Sequence, residues 1–352
     1  MMNRRLWLVT AGGAAAQSID HEIRALASAP ELRMRFAGGD ESDLHRWQTS
    51  FRAKLASLLG PHEPPAEWST VEESSVDLGD HVRQSLLLKA PGLRDLPVYL
   101  LTPKGSDRRA AVLALHGHGR YGHDPVAGVA PDQAHRDAIT SANYDYGLQL
   151  VRRGYVVAAP CFTPFGRRLG YPASYKGDDP CGVTFIRMQL FGKILISENL
   201  RDALWSASLL ARHPRVDPGR IACVGLSYGG RMTMLTAAMD TRIRAAVISG
   251  ALNVMQERVR GRYSCGAQII PGLLEYGDVP EIGSLIAPRP CVWEAGQKDA
   301  LMVKEWLEPS LERMRRAWAA ARKPENLQVD SFDGGHRWSG TLAYPMLERT
   351  LG

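Results

Sequence analysis

Apolar residues change their period along this chain. Between residues 17 and 60, Leu44, Trp47, Phe51, Leu55, Leu58 and Leu59 recur at helical spacing, and Gly60-Pro61 ends the run. Gly38 to Ser42 separates this helix from an earlier one around Ile19–Ala27, and the connector Pro61 to Pro65 follows it. Residues 71–102 read as antiparallel strands, Val82–Leu88 and Leu96–Leu101, with a turn at Pro91-Gly92. From residue 110 short apolar runs alternate with helical patterns. Strands are predicted at Ala110–Leu115, Tyr155–Ala159, Ile221–Val224, Ile243–Ile248, Cys291–Glu294 and Leu327–Asp330, and helices near 144–153, 200–211, 231–238 and 304–321. That alternation predicts an α/β fold: a mostly parallel central sheet with helices on both faces. Three Gly-, Pro-, Arg- and Asp-rich stretches, 119–143, 161–196 and 252–284, break the rhythm after strand ends, where such sheets bind ligands. They are expected to roof a site. The chain thus divides into an N-terminal helical extension, 1–65, and a catalytic-type domain, 66–352, with lid insertions.

Composition narrows the class. The 352 residues are 45% hydrophobic and 23% charged, which suits a packed core rather than disorder. No run approaches the roughly 18 apolar residues of a transmembrane helix. The net charge of +6 is spread over pairs such as Arg152-Arg153, Arg167-Arg168 and Arg315-Arg316. No zinc-finger, RNA-binding or helix-turn-helix pattern accompanies it, so neither nucleic acid nor membrane is expected as a partner. Five cysteines are too few and scattered for a disulfide scaffold, and none forms a CxxC or CxxH pair. Cys223 and Cys291 fall in apolar strands as buried thiols, while a Cys161–Cys181 bridge is conceivable. Arg4-Arg5 and the Ala-rich stretch at 11–16 imitate a signal peptide, but Gly12-Gly13 and early charges interrupt it. A cytoplasmic protein is expected, with export as the alternative; a homo-oligomer is compatible with the sequence.

The chemistry concentrates at Gly225-Leu226-Ser227-Tyr228-Gly229-Gly230, between an apolar strand and a helical run. G-x-S-x-G in that context is a nucleophile elbow, whose tight turn lifts the serine hydroxyl clear of the sheet. A serine hydroxyl needs a base within reach. His336, after Asp333-Gly334-Gly335 and the last strand, is the best placed. Asp299, just beyond the strand Cys291–Glu294, is the preferred acid to orient it; Asp278, Asp330 and Asp333 compete. His116-Gly117-His118-Gly119 follows the strand Ala110–Leu115. The backbone N–H groups of Tyr228 and His118 are the candidate oxyanion donors. A metal reading of His116, His118 and His123 lacks a carboxylate or cysteine at familiar spacing, so no metal is assigned. Tyr121, Phe165 and Trp338 are candidate substrate contacts, among a larger aromatic set (Tyr144, Tyr146, Phe162, Tyr171, Tyr175, Phe185, Tyr263, Tyr276). Arg167, Arg168 and Arg262 could attract an acidic substrate.

With Arg153 to Pro160, Val216 to Ile221, and Ala287-Pro288-Arg289-Pro290, these motifs make the chain resemble the α/β-hydrolase superfamily over residues 80–345. Within it the chain resembles dienelactone-hydrolase-like and acetyl-xylan-esterase-like bacterial esterases. The resemblance implies hydrolysis of small carboxylic esters, often acetyl esters, by Ser227, His336 and Asp299 without a cofactor. Two departures stand out. Dienelactone hydrolases proper use a cysteine where this chain has Ser227, and many relatives carry aspartate where it has Cys161. A prolyl-oligopeptidase-like serine peptidase and a catalytically silent binding protein are the alternatives.

Overall fold

The computed structural model describes residues 18–170, 179–261 and 264–352. The signal-like start, Tyr171, Tyr175, Arg262 and Tyr263 lie outside the described residues. Two helices come first, α1 (Ile19–Ser28) and α2 (Glu41–Leu59), the second opened by a reciprocal capping box between Asp40 and Asp43. An antiparallel meander follows: β1 (Ser69–Asp77), β2 (His81–Lys89) and β3 (Leu96–Pro103). The remaining order is β4 (Arg109–Leu115), α3 (Gln133–Ala142), α4 (Tyr146–Arg152), β5 (Val156–Pro160), α5 (Pro180–Gln189) and α6 (Leu195–Arg212). Then come β6 (Val216–Leu226), α7 (Tyr228–Met239), β7 (Ile243–Ser249), α8 (Met255–Gly261), α9 (Val279–Ser284), β8 (Cys291–Gly296), α10 (Lys304–Ala320), β9 (Leu327–Phe332) and α11 (Ala343–Leu351).

These strands form one sheet in the order β1-β2-β3-β5-β4-β6-β7-β8-β9, parallel from β5 to β9. Its parallel strands are apolar on both faces because helices cover both. Leu113, Leu115 and Cys223 face a layer built from α2, α6, α7, α9 and α10. Val112, Ala114, Ala222 and Val224 face α4 and α11. β4 and β6 lie side by side in register, Leu115 opposite Gly225, so the loops leaving their C-terminal ends meet.

The N-terminal extension is bonded into this core. Phe51 and Leu55 of α2 are fully buried, the Gln48 amide donates to Ala287 O at 2.8 Å, and Arg52 donates to Ala238 O at 2.9 Å. Among the described residues, no helix is long and apolar enough to cross a membrane.

Candidate active site

Ser227 stands between β6 and α7 with φ +63° and ψ −121°, a left-handed conformation that a non-glycine residue adopts under strain. Packing imposes it. The Ser227 N–H donates to Ser249 O at 2.8 Å on the neighbouring β7. Behind it, a Cβ on Gly229 would lie 1.8 Å from Leu115 O, so α7 can start this close to β4 only with glycine there. Ser227 lines a cavity of about 210 Å³ walled mainly by apolar atoms. Tyr121, Pro125, Ala138 and Tyr144 form its walls, and Ser227, His118 and His336 share them.

His336 enters from the loop after β9. Its Nδ1 lies 2.7 Å from Asp299 Oδ2, in the loop after β8. A carboxylate only accepts, so Nδ1 is the protonated nitrogen of the neutral ring, which leaves Nε2 as the one that can accept. That Nε2 is buried and has no hydrogen-bond partner among the described residues. Asp299 is itself buried, and its other oxygen accepts the Leu301 N–H at 2.8 Å, which fixes the carboxylate plane. The competing acids are committed elsewhere. Asp278 accepts the N–H groups of Met255, Gln256 and Val279; Asp330 accepts from Ser339 and Leu342; Asp333 pairs with Lys298.

The loop after β4 lies opposite. His116 is fully buried: its Nε2 accepts the Phe162 N–H at 2.8 Å and its Nδ1 meets Gly117 O at 2.7 Å. Burial pushes its pKa down to about 4, so it serves as a neutral strut between this loop and the end of β5. His118 projects beyond it, between the rings of Phe165 at 5.5 Å and Tyr228 at 5.1 Å. The Tyr228 hydroxyl accepts from Asn199 at 2.7 Å, which anchors the start of α7 to α6. Neither the His118 nor the Tyr228 N–H takes part in a backbone hydrogen bond among the described residues. Both are therefore available to a ligand.

Comparison with known proteins bears on the fold. A model of the prolyl oligopeptidase family matches residues 194–257, from α6 through the Ser227 turn into α8. YtaP of Bacillus subtilis, which carries a provisional hydrolase name, is 27% identical over 300 residues, covering 81% of this chain and 92% of its own. A Bacteroides fragilis protein provisionally described as an acetyl xylan esterase superposes with a TM-score of 0.75 at 19% identity, over 90% of this chain and 82% of that one. A glucuronoyl esterase of Solibacter usitatus gives 0.66 at 12% identity, over 92% and 98%. The chain is an α/β-hydrolase by fold.

Within this α/β-hydrolase, the expected substrate contacts separate. Tyr121 lines the cavity, its ring against His135 at 3.9 Å. Phe165 is buried behind His118 and is absent from the cavity walls. Trp338 is fully buried in the α4–α11 layer: its ring stacks on Tyr146 at 4.8 Å and its N–H reaches the Tyr344 hydroxyl at 3.0 Å. Its apolar bulk is satisfied by core packing, so proximity to His336 in sequence does not bring it to the cavity. The loop arginines are also engaged, Arg167 with Glu73 and Arg168 with the buried Asp202. Tyr144, one of the larger aromatic set, is central: its hydroxyl accepts the Gly117 N–H at 2.6 Å and it lines the cavity.

Cys223 and Cys291 are buried free thiols as expected, but Cys161 and Cys181 are both free rather than bridged. Cys161 donates to Phe165 O, and Cys181 meets Cys265 rather than Cys161. Hydrogen bonding from Cys181, and next the His118 ring, holds the Cys265 thiol below the usual thiol range.

Proposed function

We propose that this protein is a serine carboxylic-ester hydrolase acting on short acyl esters. One observation carries the reading: a buried, unpartnered His336 Nε2, its tautomer fixed by Asp299, shares a small cavity with a strained serine at a helix start. In this reading His336 removes the Ser227 proton as Oγ attacks the ester carbonyl. The N–H groups of Tyr228 and His118 hold the tetrahedral oxyanion, each contributing about 10²–10³ in rate. The alkoxide leaves with the proton from His336, giving an acyl-serine. Water, deprotonated by the same nitrogen, then releases the acid, while Asp299 stabilises each imidazolium.

The acyl preference follows from size. A cavity of about 210 Å³ lies below the roughly 300–1,000 Å³ usual for drug-sized ligands, which favours acetyl over long acyl groups. The names of the structural neighbours, acetyl xylan and glucuronoyl esterases, favour carbohydrate-linked esters as natural substrates. A cytoplasmic setting belongs to the same reading, and cell fractionation checks it.

The test is hydrolysis of p-nitrophenyl acetate, butyrate and octanoate by wild type and Ser227→Ala. Acetate should give the highest kcat/KM, and the variant should lose at least about 10⁴-fold. Absence of serine-dependent turnover with every ester would overturn the proposal. The prolyl oligopeptidase match over 194–257 favours a second reading, amide cleavage, which requires peptide anilides to be better substrates than acetate.

A further inference from the structure

One side-chain cluster outside the Ser227–His336–Asp299 group has the composition of a metal centre. The His118 ring and the thiols of Cys181 and Cys265 come from three segments far apart in sequence, yet their ligating atoms all lie within 4.8 Å of one another. Around tetrahedral zinc, with Zn–S near 2.3 Å and Zn–N near 2.0–2.1 Å, ligand atoms are about 3.4–3.8 Å apart. Movement of about 1 Å therefore closes the three on a single cation.

The surroundings hold this arrangement. Cys181 is buried in the first turn of α5, and α5 packs on the short helical turn at Gly266–Gln268 that Cys265 opens. The Cys265 Sγ accepts the Ala267 N–H at 3.3 Å, the kind of outer-shell bond that supports a metal-bound thiolate. His118 is flanked by the Phe165 and Tyr228 rings, which restrict its approach. Two thiolates and an imidazole suit zinc and similarly thiophilic ions, and poorly suit magnesium or calcium.

We propose that His118, Cys181 and Cys265 bind one zinc-class cation. Binding releases the two thiol protons and leaves one coordination position for water. The cation ties the 161–196 and 252–284 insertions to the loop after β4. It thereby fixes the segment that brings His118 to the cavity. The proposal stands on the donor set and does not depend on ester hydrolysis.

The experiment uses the whole chain, purified under reducing conditions, incubated with zinc and desalted, then analysed for metal. About one zinc per chain is expected. Replacement by cobalt should give a thiolate-to-cobalt charge-transfer band in the near ultraviolet. Cys181→Ser and Cys265→Ser, each checked for folding by circular dichroism, should abolish that band and weaken zinc binding by at least about 100-fold, beyond the loss from an outer-shell partner. Ser227→Ala should bind zinc as wild type does even though it turns over no ester, which separates this proposal from the catalytic one. Wild type without zinc or the cobalt band would overturn it. So would Cys variants that bind as tightly as wild type.

Discussion

Gly250 offers a way to displace the proposed base without touching it. It follows β7, has φ +58°, and donates its N–H to Glu294 O at 3.0 Å. In Gly250→Ala the new Cβ would stand 2.8 Å from His336 Cε1 and 3.1 Å from Nδ1. Ordinary contact begins near 3.4 Å, so the ring must retreat by roughly 0.6 Å from its Cε1 position. Either the 2.7 Å bond to Asp299 stretches or the ring swings away from Ser227. A 1 Å misplacement of reacting groups costs about 10²-fold, so kcat/KM for p-nitrophenyl acetate should fall about 10- to 100-fold. The left-handed backbone adds about 1–2 kcal/mol of destabilisation, measured by urea unfolding, within the stability of an ordinary domain. Gly79→Ala is the control: φ is +89° there, but the added methyl would meet no atom within 4 Å, so strain comes without displacement. Gly250→Ala retaining wild-type kcat/KM would refute the reasoning. An equal loss of activity in Gly79→Ala would refute it as well.

Further outcomes follow from the same contacts. Asp299→Asn should keep the fold but lower kcat by about 10⁴-fold, because an amide no longer selects the Nδ1-protonated tautomer; pre-steady-state acylation rates check this. Phe51→Ala should cost about 3–5 kcal/mol in unfolding free energy while kcat/KM of the folded enzyme stays near wild type, since Phe51 does not line the cavity. Burial pushes the Glu294 carboxyl up to about 7 from 4.5. The folded chain then holds a proton the unfolded chain lacks between these values, so this contribution is full below pH 4.5 and is lost as pH rises through 7. The change is about 3 kcal/mol at most, and unfolding measured from pH 4.5 to 8 should show that slope reduced in Glu294→Gln.

Legibility from the sequence followed burial. The parallel strands, continuous apolar runs closed in from both faces, could be read almost to their ends, and so could the Gly225–Gly230 turn. β1 could not: Ser69–Asp77 is exposed throughout and pairs with β2 by backbone hydrogen bonds, leaving no apolar alternation to read. α3 lies inside a segment read as irregular because its helix carries a single buried residue, His135. The positions of Ser227, Asp299 and His336 followed from strand ends, since each loop leaves the same edge of the sheet. Tyr144, Trp338 and the Cys181–Cys265 contact depended on how the insertions and α11 fold back, and sequence spacing carries no record of that.

The most direct test of the proposed nucleophile is covalent. Treatment with a fluorophosphonate, followed by intact mass and peptide mapping, should add one phosphonyl group to Ser227 in parallel with loss of esterase activity. The Ser227→Ala protein should remain unlabelled and inactive. A label mapped to any other residue, or a Ser227→Ala protein that still hydrolyses p-nitrophenyl acetate at the wild-type rate, would contradict the account.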